Sequence, residues 1–221
     1  HGSMPWEGLN PLEFGAAILV EAREDFEQGK GFRDHDFLGA GTRTASWAEL
    51  ATPSDCAVPD RFVFRFDRRL TVGETPEQAV AHVEALKAVA QARDAGLRVD
   101  ISIPVYEQPS WRGYRLNNPQ IYMGGEPPAD PPAIVSAVEA YSDVVSPNVD
   151  DAEEGGLRKA PRVSRWIFST DGVGFPVPVE GSGLAVDSCK SWVTAGEFMH
   201  PAMFGVGPGI EQNTHKIGEC L

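Results

Sequence analysis

Arg61-Phe62-Val63-Phe64-Arg65-Phe66-Asp67-Arg68-Arg69-Leu70 is the stretch on which the fold turns. Phe62, Phe64 and Phe66 share one side of an extended chain, while Arg61, Arg65, Asp67 and Arg69 take the other. The plain reading is a half-buried strand with a charged outer face. Such a row can also present an arginine to an anion. Thr71-Val72-Gly73-Glu74 reads as a turn. Thr75-Pro76-Glu77-Gln78 then opens a helix with a cap, a first-turn proline and a capping-box glutamine. The helix is expected to run to Ala95, burying Val80, Val83, Leu86 and Val89, and to stop at Gly96. Leu97, Val99, Ile101 and Ile103 alternate with Arg98, Asp100 and Ser102, which predicts a further strand.

Upstream, Leu9, Leu12, Ala16, Leu19 and Val20 recur at helical spacing, so residues 8–28 read as a helix. Asn10 can cap it, Pro11 suits its first turn, and Gly29 and Gly31 stop it. Residues 38–50 read as a strand. The order is helix, strand, strand, helix, strand. A ferredoxin-like unit is strand, helix, strand, strand, helix, strand. The expectation is an α/β chain that opens with a ferredoxin-like α+β domain lacking its first strand, which would precede His1.

Downstream the pattern loosens. Residues 107–132 are a connector rich in Pro, Gly, Asn and aromatics. A helix is expected over 132–145. Residues 148–162 read as a solvated acidic loop without the ordered ligand spacing of a calcium site. Trp166-Ile167-Phe168 predicts a short buried strand ending in Ser169-Thr170-Asp171-Gly172, and a helix is expected around 187–194. Ala202-Met203-Phe204 reads as a last strand emptying into Gly205-Val206-Gly207-Pro208-Gly209, with His215 and Glu219 beyond. Open α/β sheets carry ligand sites at such strand ends. A neutral imidazole there is a metal ligand by its chemistry; taken alone, a solvated loop histidine is the plainer reading. A single metal site built from His200 and His215 is a third. No internal repeat is visible.

With 221 residues, the chain suits one large or two small domains. A formal charge of −13 argues against nucleic acid or an anionic membrane as partner. The apolar run Phe14 to Val20 is too short to span a bilayer, and no signal peptide is visible. Cys56, Cys189 and Cys220 are widely spaced and make no disulfide framework, so a cytoplasmic setting is expected. His1-Gly2-Ser3-Met4 reads either as a cloning scar or as part of a motif.

Four blocks stand in order: His1-Gly2-Ser3-x-Pro5; Asp67-Arg68-Arg69-Leu70-Thr71 with Gly73-Glu74-Thr75; Phe168-Ser169-Thr170-Asp171-Gly172; and Gly205-x-Gly207-Pro208-Gly209 with His215. This order resembles the co-catalytic zinc metallopeptidases and deacylases that include aminoacylase, carboxypeptidase G, acetylornithine deacetylase and succinyl-diaminopimelate desuccinylase. It is most similar to the branch of selenium-metabolism-linked hydrolases. The resemblance covers nearly the whole chain. It implies a lid, or dimerisation, domain over 1–108 and the C-terminal portion of a zinc-peptidase α/β sheet domain over 109–221. The first catalytic half, with most metal ligands and the general-base glutamate, would precede His1.

The resemblance also implies roles, residue by residue. His1 matches a lid histidine that reaches into the partner subunit's site and polarises the scissile carbonyl, a catalytic role. Arg69 matches a lid arginine that binds substrate carboxylate. Ser169, Thr170 and Asp171 match a substrate-contacting turn, and Gly207 and Gly209 let backbone approach the substrate. His215 matches the last metal ligand, with Glu219 in support behind it. One departure stands out: where many relatives open an Asn-x-x-Pro stretch, this chain has Cys56-Ala57-Val58-Pro59. A thiol is a poor substitute for an amide that hydrogen-bonds substrate; the default reading of Cys56 is a buried structural cysteine.

The implied function is a hydrolase that cleaves the amide bond of a peptide or N-acyl amino acid through metal-activated water. Its cofactor would be two zinc ions, with cobalt or manganese as substitutes, and it would work as a homodimer through the lid. The alternative is a non-catalytic dimerisation or binding module with no metal chemistry of its own.

Overall fold

Asn10 starts the first helix. Its side-chain oxygen accepts from the Leu12 N–H at 3.0 Å, Pro11 takes the first helical position, and α1 runs over Pro11–Glu27 in the computed structural model. Gly29, at φ +67, turns the chain out of it. Residues 1–115, 117–122, 132–144, 147, 161, 163–164, 177–178 and 198–199 are described by the structure.

Two strands follow, β1 (Thr42–Ala51) and β2 (Arg61–Arg69), paired antiparallel. The register runs from Thr42↔Arg69 to Ala51↔Arg61, with a bulge between Ala45 and Trp47. The phenylalanine row behaves as its period demands. Phe62, Phe64 and Phe66 stack along one face with ring centroids 5.4 and 5.5 Å apart. On the other face Arg61 pairs with Glu49 at 2.9 Å, and Arg65 lies over the Trp47 ring at 4.6 Å.

The capping box forms as expected: Thr75 Oγ1 accepts from Gln78 N–H, and Gln78 Oε1 accepts from Thr75 N–H. The helix it opens is not continuous to Ala95. It divides into α2 (Pro76–Glu84) and α3 (Lys87–Asp94), because Leu86 takes an extended backbone at ψ 137. The break is stabilised from outside. Glu21 on α1 accepts from the N–H groups of Lys87 and Ala88 at 3.0 and 2.7 Å, so a carboxylate from another helix caps α3. Leu86 is buried beside Ile18, Ala22, Ala88 and Val89, with Phe64, Phe66, Val83, Val99 and Ile101 packed against that core. Gly96, at φ +102, ends α3.

The strand expected over 97–103 is a correction. Its side chains alternate as foreseen: Leu97, Val99, Ile101 and Ile103 are half-buried, and Arg98, Asp100 and Ser102 are exposed. It makes no strand pairing, however; among the described residues the sheet of this unit holds β1 and β2 alone. Hydrophobic alternation placed the side chains, but a strand also needs a backbone partner at its edge.

The chain divides into two compact units, His1–Gly124 and Gly125–Leu221. The boundary expected at 108/109 falls inside the first unit, where residues 105–119 fold back through bridges at Val105↔Pro119 and Pro109↔Arg115. In the second unit, α4 spans Pro132–Val144, as the sequence pattern predicted to within a residue. The short strands β3 (Val177–Pro178) and β4 (Phe198–Met199) pair antiparallel. The strands expected at 166–168 and 202–204 and the helix near 187–194 lie outside the described residues. Helices mixed with small antiparallel sheets make this an α/β chain. Among the described residues, no helix is long and apolar enough to cross a membrane.

Candidate functional site

The two ends of the β1–β2 hairpin carry different chemistry. At the turn end, the chain start is tied to the loop between the strands. Gly2 N–H donates to the Cys56 carbonyl at 2.6 Å. His1 sits on this tie, exposed, with Nδ1 within 2.8 Å of Ser3 Oγ and accepting from the Ser3 N–H at 3.2 Å. Nε2 is the ring nitrogen left to meet an outside group. Cys56 is an exposed free thiol. The sequence flagged His1 and Cys56 separately; the structure puts them on one surface. The default reading of Cys56 as buried is thereby corrected. Its loop, 52–60, crosses between strand ends at the surface, where no core reaches it.

Arg69 is at the other end of β2, about 25 Å along the strand from this surface at ~3.3 Å per residue. His1 and Arg69 are therefore not neighbours within one chain. The Arg69 fork is already filled: Nε and Nη2 reach the two carboxylate oxygens of Asp67 at 2.7 and 2.9 Å. Both side chains are partly exposed, so an incoming carboxylate could compete with Asp67 for this fork.

Behind Arg69 lies a buried arrangement that the sequence reading missed. Arg43 and Arg68 are directly opposed partners in the strand register, on the phenylalanine side of the sheet. Like charges so placed repel. Both guanidiniums lie against one ring: those of Arg43 and Arg68 are 5.3 and 4.2 Å from the Phe32 centroid. Arg43 also lies 5.6 Å from the Phe66 ring and donates to the Ala22 carbonyl, while its Nε has no hydrogen-bond partner among the described residues. Burial first, and then the Arg68 charge, lower the Arg43 pKa; Asp25 acts in the opposite direction.

Glu74 supplies the counter-charge. Arg68 Nη2 reaches its carboxylate at 2.7 Å, with side chains only 12% and 4% exposed. The Arg33 and Thr71 N–H groups each donate to it at 2.9 Å. Burial pushes the Glu74 carboxyl up, but these donors outweigh it and hold the group below the ordinary glutamate range. Gly41 is needed beside them, because a Cβ there would come within 2.6 Å of Glu74 Oε2. The Asp67–Thr71 strand end is thus fastened by Arg68, Thr71 and Glu74, leaving Arg69 on the outer face. One signal for this was available: extending the period-two row past Phe66 puts Arg68 on the buried face, where an arginine requires a carboxylate.

Further along, the hydroxyls of Tyr106 and Tyr122 bond to each other across the folded-back stretch. The bond to Tyr106, more than burial, pushes the Tyr122 hydroxyl up to about 12.

Ser169, Thr170, Asp171, Gly207, Gly209, His215 and Glu219 all lie outside the described residues. Among the described residues, no group of three or more His, Cys, Asp and Glu side chains could hold a metal ion.

No protein-family model matches the chain, and no solved structure matches it. The chain is similar to the uncharacterized protein YgeY of Escherichia coli. The proteins of strain K12 and of O157:H7 are each 35% identical to it over 187 residues, covering 83% of this chain and 41% of theirs. The chain spans less than half the length of these relatives.

Proposed function

We propose that this chain is the lid and C-terminal catalytic portion of a metal-dependent hydrolase that cleaves the amide bond of a small peptide or N-acyl amino acid. The observation that carries this reading is the ordered set of four blocks around His1, Arg69, Ser169–Asp171 and Gly207–His215. The fold of the first unit supports it. A helix, a strand pair, a second helix pair and a strand-like segment share one core, as a ferredoxin-like lid lacking its first strand would. His215 would hold the metal, with Glu219 behind it, together with ligands from outside this chain. Zinc bound there would supply a water acidic enough to attack an amide carbonyl at neutral pH.

The chain's own residues have definite tasks in this reading. His1, exposed and with its ring Nδ1 against Ser3, offers Nε2 to a carbonyl oxygen gaining charge. Arg69 offers a planar fork to the substrate carboxylate once Asp67 yields. Because these two lie at opposite ends of β2, a single site would take His1 from one subunit and Arg69 from the other, which ties activity to a homodimer. Ser169, Thr170 and Asp171 would orient the substrate, and Gly207 and Gly209 would let backbone lie against it.

The closed Arg69–Asp67 pair favours one competing reading, a dimerisation module with no chemistry of its own. The test is to join the chain to the polypeptide encoded upstream of residue 1 and assay hydrolysis of N-acyl amino acids and dipeptides. Activity that disappears in both His1→Ala and His215→Ala supports the hydrolase. An inactive, folded dimer supports the module.

A further inference from the structure

The outer face of the β1–β2 pair carries a row of alternating charge. Arg65, Asp67 and Arg69 follow one another at two-residue steps along β2 and so share one face. Asp67 therefore stands between two arginines at equal strand spacing, about 7 Å to either side. It pairs with one of them. Arg69 Nε and Nη2 close on its carboxylate at 2.7 and 2.9 Å. The Arg65 guanidinium instead lies 4.6 Å from the Trp47 ring centroid and makes no ion pair among the described residues. The bulge between Ala45 and Trp47 creates that contact. Its extra residue, Ser46, brings Trp47 opposite Arg65 on the outer face, where an unbroken ladder would turn the indole to the phenylalanine side. Trp47 remains 41% exposed there.

We propose that Asp67 is a two-position carboxylate: when a ligand's carboxylate enters the Arg69 fork, Asp67 turns to Arg65, and the Arg65 guanidinium lifts off Trp47 to receive it. The exchange rests on the role of Arg69 in the hydrolase reading and adds where Asp67 goes. The Nε–Nη2 edge of Arg69 takes one bidentate carboxylate at a time, so a ligand bound there displaces Asp67. A displaced Asp67 without a partner would face the incoming carboxylate as a like charge at close range. Arg65 removes that repulsion. It lies on the side away from Arg69, at the spacing Asp67 already bridges, so side-chain rotation alone completes the move. Arg65 gives up one exposed cation–π contact, comparable in strength to the exposed ion pair it gains. Two arginines and one aspartate leave the row with a net charge of +1, which a single carboxylate neutralises. The row thus suits a ligand with one carboxylate, as in an N-acyl amino acid with a neutral side chain. Arg65 and Asp67 are positioning residues, acting on the ligand through Arg69.

The test titrates the 221-residue chain with N-acetylglycine at fixed ionic strength and follows the Arg65 and Arg69 Nε–H and Trp47 indole N–H signals by NMR. All three are expected to shift along a single binding curve. Asp67→Asn should tighten binding and Arg65→Gln should weaken it, each about two- to fivefold. Arg65→Lys should restore most of the native affinity. In the double variant with Asp67→Asn, Arg65→Gln should lose its effect. Arg65 stands about 13 Å along the strand from Arg69, beyond the ~8 Å screening length of physiological salt, so its influence must pass through Asp67. An Arg69 response without one at Arg65 and Trp47 overturns the exchange. So does an Arg65→Gln effect of equal size with and without Asp67, a response that survives Arg69→Gln, or no binding at all. The exchange and the hydrolase fail separately. A coupled response in a protein that hydrolyses no amide supports the exchange and overturns the hydrolase reading, whereas hydrolysis with Arg65 silent overturns the exchange alone.

Discussion

The two ends of the β1–β2 hairpin both carry polar side chains and put them to opposite use. At the Arg69 end, two arginines and a glutamate are taken out of water, and both carboxylate oxygens of Glu74 are occupied. At the Cys56 end, His1, Ser3 and Cys56 sit at the surface, held by one backbone bond and short local contacts. Burial converts charge into structural constraint at the first end. Exposure leaves a histidine nitrogen and a thiol free for an outside partner at the second. Charged residues in a motif are thus not equivalent. Within Asp67-Arg68-Arg69, Arg68 holds the fold and Arg69 faces outward.

Breaking the sealed end should cost most. Glu74→Ala strands the Arg68 guanidinium beside Arg43, and a loss of about 3–5 kcal/mol in denaturant unfolding is expected. The pH dependence has a definite sign. A carboxyl lowered in the fold stabilises above its unfolded value of about 4.3 and loses that contribution as pH falls through its folded value. The stability gap between the native chain and Glu74→Gln should therefore narrow as the pH drops below about 4. A gap that widens on acidification would contradict the arrangement.

The next effect probes packing near the open end. A Cβ on Gly15 would lie 2.4 Å from Phe62 Cδ1, so Gly15→Ala must displace the phenylalanine row. The expected cost is about 1–3 kcal/mol by thermal or chemical unfolding. Between the helices, Glu21→Ala removes the cap of α3 and should cost ~1 kcal/mol. Amide exchange at Lys87 and Ala88 should quicken first.

At the exposed end, stability and function should separate. His1→Ala should change unfolding by no more than about 0.5 kcal/mol, as expected for a surface site. In the longer protein the same change should abolish amide hydrolysis. A destabilisation as large as that of Glu74→Ala would erase the contrast between the two ends.

These differences explain what could be read from sequence. Asn10, Pro11, Thr75 and Gln78 act within four residues of themselves, so both helix starts were legible. The Phe62–Phe66 row and its charged reverse followed from period two. Glu21 could not be seen as a cap, because the N–H groups it accepts from lie 66 and 67 residues away. The break at Leu86 was hidden for the same reason. Val99 and Ile101 showed the right alternation, but alternation reports side-chain burial and not a backbone partner. Of the candidate site, His1 and Arg69 were visible as members of motifs. Their separation along β2 was not, since a motif fixes order along the chain and not position in space.

The most direct test of the account is metal content. The chain joined to its upstream polypeptide should hold two zinc ions per subunit by elemental analysis, and His215→Ala should lower that number while the fold and dimer persist. Two ions retained in full by His215→Ala, or none in the folded native protein, would contradict the assignment of this chain to a dimetal hydrolase.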